Sequence, residues 1–283
     1  MSARGPFSLA AAAWFQETFP AFQGDDDAAR LDLAFAADDT WTPVGVRVTA
    51  DLRGQVVANP GDVPVGRIRA QVERILSLDA DGTGFAEAGV RDPVVHELQQ
   101  RFPGLRPVLF ATPYEAAAWA LICHRIRMTQ AGTVLARIAA SLGDAVDFGD
   151  RVLHAFPAPE RLIHLEPMPG LTIRKVENLR ALGEAAAEGE LDAGLLRGMS
   201  TEEAVVHLKK LPGVGPFSAE LIMIRGAGVV DAFPEETPRL HHAMAEAYDL
   251  GPEPPLATLR AISESWRPYR SWVAFLLRNA ASG

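Results

Sequence analysis

From Leu208 to Gly226 the chain reads L-K-K-L-P-G-V-G-P-F-S-A-E-L-I-M-I-R-G, and no other stretch restricts the fold so tightly. Leu208, Lys209 and Lys210 end one helix and Pro212 stops it, while Gly213 and Gly215 permit a tight reversal with positive φ and no Cβ in the way. Pro216 suits the first position of a new helix, where its missing N–H costs nothing, and Ala219 to Arg225 supply an apolar helical run that Gly226 closes. The expectation is a compact helical hairpin. Its turn leaves the N–H groups around Gly213, Val214 and Gly215, and those opening the second helix at Ser218, free to meet an anion. Contacts of that kind read no base sequence. An ordinary pair of helices with a glycine-rich loop would use a GxG in the same way. The specificity lies in the longer run, L-P-G-V-G-P followed by small residues and an apolar helix ending in Arg-Gly.

Composition bounds the rest. At 283 residues and 48% hydrophobic, the chain is long enough for two or three cores. No apolar run approaches the roughly 18 residues needed to span a bilayer, and the opening MSARGPFSLAAAAWF lacks a small-residue cleavage site after an apolar core. The single cysteine, Cys123, forms no internal disulfide and excludes a four-cysteine iron–sulfur cluster or a cysteine-based zinc site. These features place the protein in the cytoplasm, with no metal site. A net charge of −9 runs against a nucleic-acid partner, but its distribution matters more than its sum. The acidic excess sits in Gly24 to Asp27, Asp79 to Glu87 and Glu184 to Glu190, whereas Arg125, Arg127, Arg174, Lys175, Lys209, Lys210, Arg225, Arg267 and Arg270 punctuate the segments that would face DNA.

The fold class expected is α+β, with helices dominant. Leu31 to Phe35, Val44 to Val48 and Val56 to Val57 alternate as strands do, and a helix follows over Arg67 to Leu78. Beyond Asp92-Pro93 the pattern predicts helices over Glu115 to Leu142, Ile173 to Glu188, Thr201 to Lys210, Pro216 to Arg225, Arg239 to Tyr248 and Leu256 to Trp266. The natural division is residues 1–91 and residues 92–283, with the helical hairpin at about residues 203–226 of the second part.

The hairpin run resembles the helix-hairpin-helix DNA glycosylase superfamily, in particular its 3-methyladenine DNA glycosylase II branch. FSLAAAAWF near the start, QVERILSLDADG from Gln71, FPGLRPVLFATPYEAAAWA from Phe102 and WRPYRSWVAFLLR from Trp266 extend the resemblance over nearly the whole chain. Of these, only the Trp-Arg-Pro-Tyr-Arg-Ser segment is specific by itself. The resemblance implies a small N-terminal antiparallel α/β domain, then a two-lobed all-helical core whose cleft holds a flipped base. The implied partner is double-stranded DNA containing damaged bases, engaged by a monomer without an obligate protein partner or membrane. No cofactor is implied beyond an alkali-metal ion at the hairpin when DNA is bound.

The sequence departs from the branch where chemistry is concentrated. Hydrolysis of an N-glycosidic bond develops positive charge on the sugar, which a nearby carboxylate stabilises. Counted forward without a gap, the branch's catalytic aspartate falls on Thr237. Glu236 is the acid if the loop between Pro234 and Pro238 shifts by one residue; it is otherwise a solvated loop glutamate, leaving a water-binding Thr237 or an acid from elsewhere. Asp231 fits a structural role, bonding the loop backbone. Bifunctional relatives carry a Schiff-base lysine where this chain has Phe217, so the resemblance implies a monofunctional enzyme.

The matching base-pocket positions hold Phe217, Leu221 and Arg278. Arg278 would repel a cationic base; it would instead hold a phosphate, recognise a neutral lesion's carbonyl, or lie on the surface. Tyr269 and Trp272 either supply the missing aromatic surface or join Trp266 in the core. The wedge that fills the hole left by the base falls at Arg125 or Ile126, beside His124. His241-His242, adjacent in sequence, read as surface. Lys209, Lys210, Arg270 and Ser218 complete the expected DNA contacts. Two readings follow, a glycosylase releasing alkylated purines and a lesion-binding protein that has lost catalysis.

Overall fold

A computed structural model describes residues 1–24 and 29–281; Asp25 to Asp27 of the acidic excess lie outside the described residues. The chain opens with α1 (Leu9–Thr18), whose first turn is capped by the Ser8 hydroxyl accepting from the Ala11 N–H at 3.2 Å. Strands β1 (Arg30–Ala36), β2 (Pro43–Thr49) and β3 (Gly54–Ala58) then form an antiparallel meander in sequence order, with Leu33 opposite Val46 and Phe35 opposite Val44. The helices that follow are α2 (Val65–Ile75), α3 (Phe85–Arg91), α4 (Pro93–Arg101), α5 (Pro113–Cys123) and α6 (Met128–Leu142).

A second antiparallel pair, β4 (Asp144–Asp147) and β5 (Val152–Ala155), interrupts the part expected to be all-helical. This corrects that expectation. Val146, Phe148 and Leu153 alternate inward and pack on Ala34, Val57 and Ala58, covering the face of the first sheet that the helices leave open. Gly45 marks the closest approach, since a Cβ there would lie 2.4 Å from Val146. Asp32, buried in this junction, receives both the Nε and the Nη2 of Arg47 at 2.8 Å.

The remaining helices are α7 (Pro159–Leu162), α8 (Ile173–Ala187), α9 (Ala193–Arg197), α10 (Thr201–Leu208), α11 (Pro216–Leu221), α12 (Pro238–Ala247), α13 (Leu256–Ser263) and α14 (Arg270–Ala280). The single helix expected over Glu115 to Leu142 is two, broken at His124 to Arg127. The run expected to stay α-helical to Arg225 widens to π-helix over Ile222–Ala227, a form that often marks functional sites.

Two cores result. One gathers Phe35, Leu76, Trp266, Trp272 and Leu277, so it joins the strands to α14 across the Asp92-Pro93 division. Asp92 is itself a buried joint: it caps α4 through the Val94 and Val95 N–H groups and accepts from Tyr248, Ser265 and Trp266. The other gathers Tyr114, Trp119, Leu179, Leu208 and Ile222. The hairpin helices belong to this second core, and the π-helical turn leads from it towards the loop that begins α12. Among the described residues no helix is long and apolar enough to cross a membrane.

Candidate functional site

The hairpin turn is built by one glycine and opened by another. The Leu211 and Val214 N–H groups donate to the carbonyls of Leu208 and Leu211, each at 3.1 Å, and fold the chain back. Gly213 has φ +82°, and a Cβ there would lie 2.3 Å from the Asn178 amide nitrogen and 2.9 Å from Leu121. Gly215 differs from expectation: its φ of −97° suits any residue, but a Cβ there would meet nothing within 4 Å. Among the described residues, no acceptor meets the N–H groups of Gly215, Phe217 or Ser218. These are the orphan donors of a helix start. Lys209 and Lys210 stand exposed beside them, whereas Val214 is buried. Ser218 needs correcting as a side-chain contact: the residue is 1% exposed and its hydroxyl lies 3.2 Å from His124 Nε2.

That His124 contact ties the hairpin to the break between α5 and α6. Lys175 Nζ donates to the carbonyls of Ile122 at 2.6 Å and His124 at 2.8 Å, ending α5. Arg125 is exposed with φ +58°, a left-handed conformation uncommon outside glycine and concentrated at functional turns. Ile126 is half-buried and packs on the second core. Of the two residues expected at the wedge, Arg125 is the exposed one. Burial, then the charges of Lys175 and Arg125, lowers the His124 pKa; burial pushes the Cys123 thiol up to about 12, leaving it protonated and unreactive.

Several cations expected on the DNA face are committed elsewhere. Arg225 is 7% exposed, donates from Nη2 to the Val108 carbonyl at 2.7 Å, and sits 5.0 to 5.8 Å from the ring centres of Phe15, Phe19, Phe110 and Phe275. Burial pushes its pKa down to about 9. Arg270 donates from Nε to Asp231 at 2.8 Å and lies near Glu264; Arg267 bonds both of the same acids. Asp231 thus serves structurally, holding two guanidinium groups rather than mainly the backbone.

Beside the hairpin lies a pocket of about 30 Å³ lined by Phe217, Glu220, Leu221, Thr237, Ser271 and Arg278, among others. It has room for about one water and none for a purine unless side chains part. Phe217, Leu221, Arg278 and Thr237 line this one pocket, whereas Glu236 is exposed and does not. The physical reason is local: Thr237 is the buried residue before Pro238 opens α12, so the preceding turn carries Glu236 outward. The Thr237 side chain makes no cap bond to α12. Arg278 is half-buried, and burial, then Arg239, lowers its pKa. Tyr269, Trp266 and Trp272 are all buried in the first core.

Glu220 is the pocket residue that sequence reasoning missed. Its two carboxylate oxygens accept the N–H groups of Glu235 at 3.0 Å and Glu236 at 2.9 Å. Burial pushes its pKa up to about 7, against the pull of those two bonds and with help from the Glu235 and Glu236 charges. A signal existed: Phe217, Glu220, Leu221 and Ile224 recur at helical spacing, which puts this one acid on the same face as Phe217.

A larger, open cleft of about 450 Å³ is lined by residues of α2 and α9 and by none of the hairpin. Its charges are paired, Arg74 with Asp38, Arg67 with Asp39 and Arg197 with Asp79. His241, expected at the surface, has a buried Nε2 without a partner among the described residues. No group of three or more His, Cys, Asp or Glu that could hold a metal occurs among the described residues.

No family model matches the chain. It is similar to a DNA-3-methyladenine glycosylase of Bacillus subtilis, 26% identical over 206 residues that cover 71% of the chain and 68% of that protein. A probable bifunctional transcriptional activator/DNA repair enzyme AlkA of Mycobacterium tuberculosis is 32% identical over 204 residues, 72% of the chain but only 40% of that longer protein. Among solved structures, the 3-methyladenine DNA-glycosylase from Archaeoglobus fulgidus superposes with a TM-score of 0.82 at 20% identity, over 100% of this chain and 97% of that one. The chain shares that fold.

Proposed function

We propose that the protein is a monofunctional DNA glycosylase acting as a monomer on duplex DNA with damaged bases, and that it hydrolytically releases alkylated purines of the 3-methyladenine and 7-methylguanine type. The observation that carries this reading is the adjacency of two features on one helix. The orphan N–H groups of Gly215, Phe217 and Ser218 suit a phosphate, and Phe217, Glu220 and Leu221 of the same helix wall a pocket. Holding the backbone there would present an extruded nucleotide to that wall. No lysine lines the pocket among the described residues, which fits hydrolysis rather than Schiff-base chemistry. A cationic alkylpurine is a good leaving group and makes modest demands on the protein. Thr237, where the resemblance implies an aspartate, favours the second reading, a lesion-binding protein without catalysis.

Base release from alkylated duplex DNA tests this. The expected outcome is release well above the spontaneous rate, with no strand cleavage. Wild type that binds abasic duplex but releases nothing above background, while Thr237→Asp does, would establish the binding reading instead.

A further inference from the structure

Thr237 leaves the pocket without the acid that the glycosylase reading needs, yet a carboxylate is there. Glu220 is the one acid lining the pocket among the described residues. It reaches the wall from α11 rather than from the loop before α12. The two meet all the same, because Glu220 accepts the N–H of Glu236, the residue immediately before Thr237. We propose that the Glu220 carboxylate takes over the role left vacant at Thr237, stabilising the positive charge on the sugar and receiving the proton of the attacking water; this rests on the glycosylase reading.

The geometry gives Glu220 what such a role demands. Each oxygen spends one lone pair on a loop amide, which fixes the carboxylate plane and leaves a second lone pair on each oxygen. No salt bridge neutralises it among the described residues, since Arg260 pairs with Glu235 instead. Two amide donors do call for two acceptor oxygens, so a clamp on the loop would by itself explain a carboxylate. It would not explain why an acid without a salt bridge among the described residues, already beside Glu235 and Glu236, stands in a pocket wall where burial opposes its ionisation.

The step balances simply. The bond between the sugar C1′ and the purine nitrogen breaks and its electron pair leaves with the cationic base, which departs neutral. The water oxygen bonds to C1′ and its proton passes to Glu220, which later yields it to solvent. The carboxylate must be ionised to act. The charged groups around it are Glu235 and Glu236 on the loop, Arg225 on the π-helical turn and Arg278 on α14, with Arg239 of α12 near Arg278. Its pKa, pushed up to about 7, therefore predicts release that climbs with pH through neutrality.

Single-turnover release from duplex containing 7-methylguanine tests the assignment, measured against pH for wild type, Glu220→Gln and Glu220→Gln with Thr237→Asp. Binding to an abasic-site duplex is measured in parallel. Glu220→Gln should slow release by about 100-fold or more while abasic binding stays within about threefold. The rise near pH 7 should vanish from its residual rate, and Thr237→Asp should recover at least tenfold. Release by Glu220→Gln within about threefold of wild type, or an unchanged pH profile, overturns the assignment and leaves the glycosylase reading standing. Parallel loss of release and abasic binding, or of fold, that Thr237→Asp does not rescue marks a loop clamp and likewise overturns it. Wild type that binds abasic duplex but releases nothing overturns both.

Discussion

The hairpin turn and the loop before α12 stand about twenty residues apart and are held in opposite ways. The turn at Leu211 to Pro216 is shaped by its own backbone and, with the start of α11, presents main-chain N–H groups without partners among the described residues. The loop from Asp231 to Thr237 is fastened from outside at nearly every joint. Arg267 and Arg270 hold Asp231, Ser271 exchanges hydrogen bonds with both main-chain groups of Ala232, Arg260 holds the Glu235 carboxylate, and Glu220 takes the Glu235 and Glu236 amides. A surface that grips a uniform backbone can be made of main chain alone. A loop that positions one residue beside a pocket needs side chains from other elements to fix it.

The π-helical turn joins these two regions, and breaking it should have the largest effect. Arg225 is surrounded there by Phe15, Phe19, Phe110 and Phe275. Arg225→Ala leaves a cavity among the rings and strips the Val108 carbonyl of its donor, at a cost on the order of 3 kcal/mol. Base release and DNA binding should fall together as stability does, measured by chemical denaturation. Arg225→Met refills most of the volume without the buried charge, so it should recover more than half of that loss. Equal losses for Ala and Met would mean that the hydrogen bond to Val108, not packing, holds the turn.

The two hairpin glycines give a finer division. Gly213→Ala forces a Cβ into φ +82° and against Asn178, costing about 1–3 kcal/mol and lowering the melting temperature by several degrees. Gly215→Ala should leave the melting temperature unchanged, because its φ is ordinary and its surroundings are open. Its methyl group stands instead where a phosphate would approach, so affinity for abasic duplex should weaken about tenfold, or ~1.4 kcal/mol. Unchanged affinity for Gly215→Ala would remove the turn from the DNA contact surface.

The contrast also explains what the sequence disclosed. Pro212, Gly213 and Pro216 dictate local geometry, so the hairpin could be read directly, and the strands at Leu31 and Val44 declared themselves by alternation. Phe217, Leu221, Thr237 and Arg278 could be brought to one pocket only through the resemblance. Glu220 stayed hidden because its significance depends on the Glu235 and Glu236 amides, contacts fifteen and sixteen residues away. Arg225 was misjudged for a related reason: a cation in sequence looks like a phosphate contact until rings from α1, α14 and the segment before α5 close around it. The β4–β5 pair was missed although Val146, Phe148 and Leu153 alternate properly, because its partner surface is the distant first sheet.

The smallest effect belongs to Lys209 and Lys210, and it bears most directly on what the hairpin does. Both are exposed at the end of α10, so Lys→Gln should not disturb the fold. If each neutralises one phosphate, removing either should lower the slope of log affinity against log salt by about 0.9, independently of base sequence. The double substitution should then lower it by about 1.8, with release at saturating protein unchanged. A slope unaltered by both changes would leave the main-chain N–H groups as the hairpin's sole grip. Of the other cations expected on the DNA face, Arg225, Arg267 and Arg270 are engaged internally and Lys175 holds the end of α5. Any residual slope would then be sought at Arg125, Arg127 and Arg174.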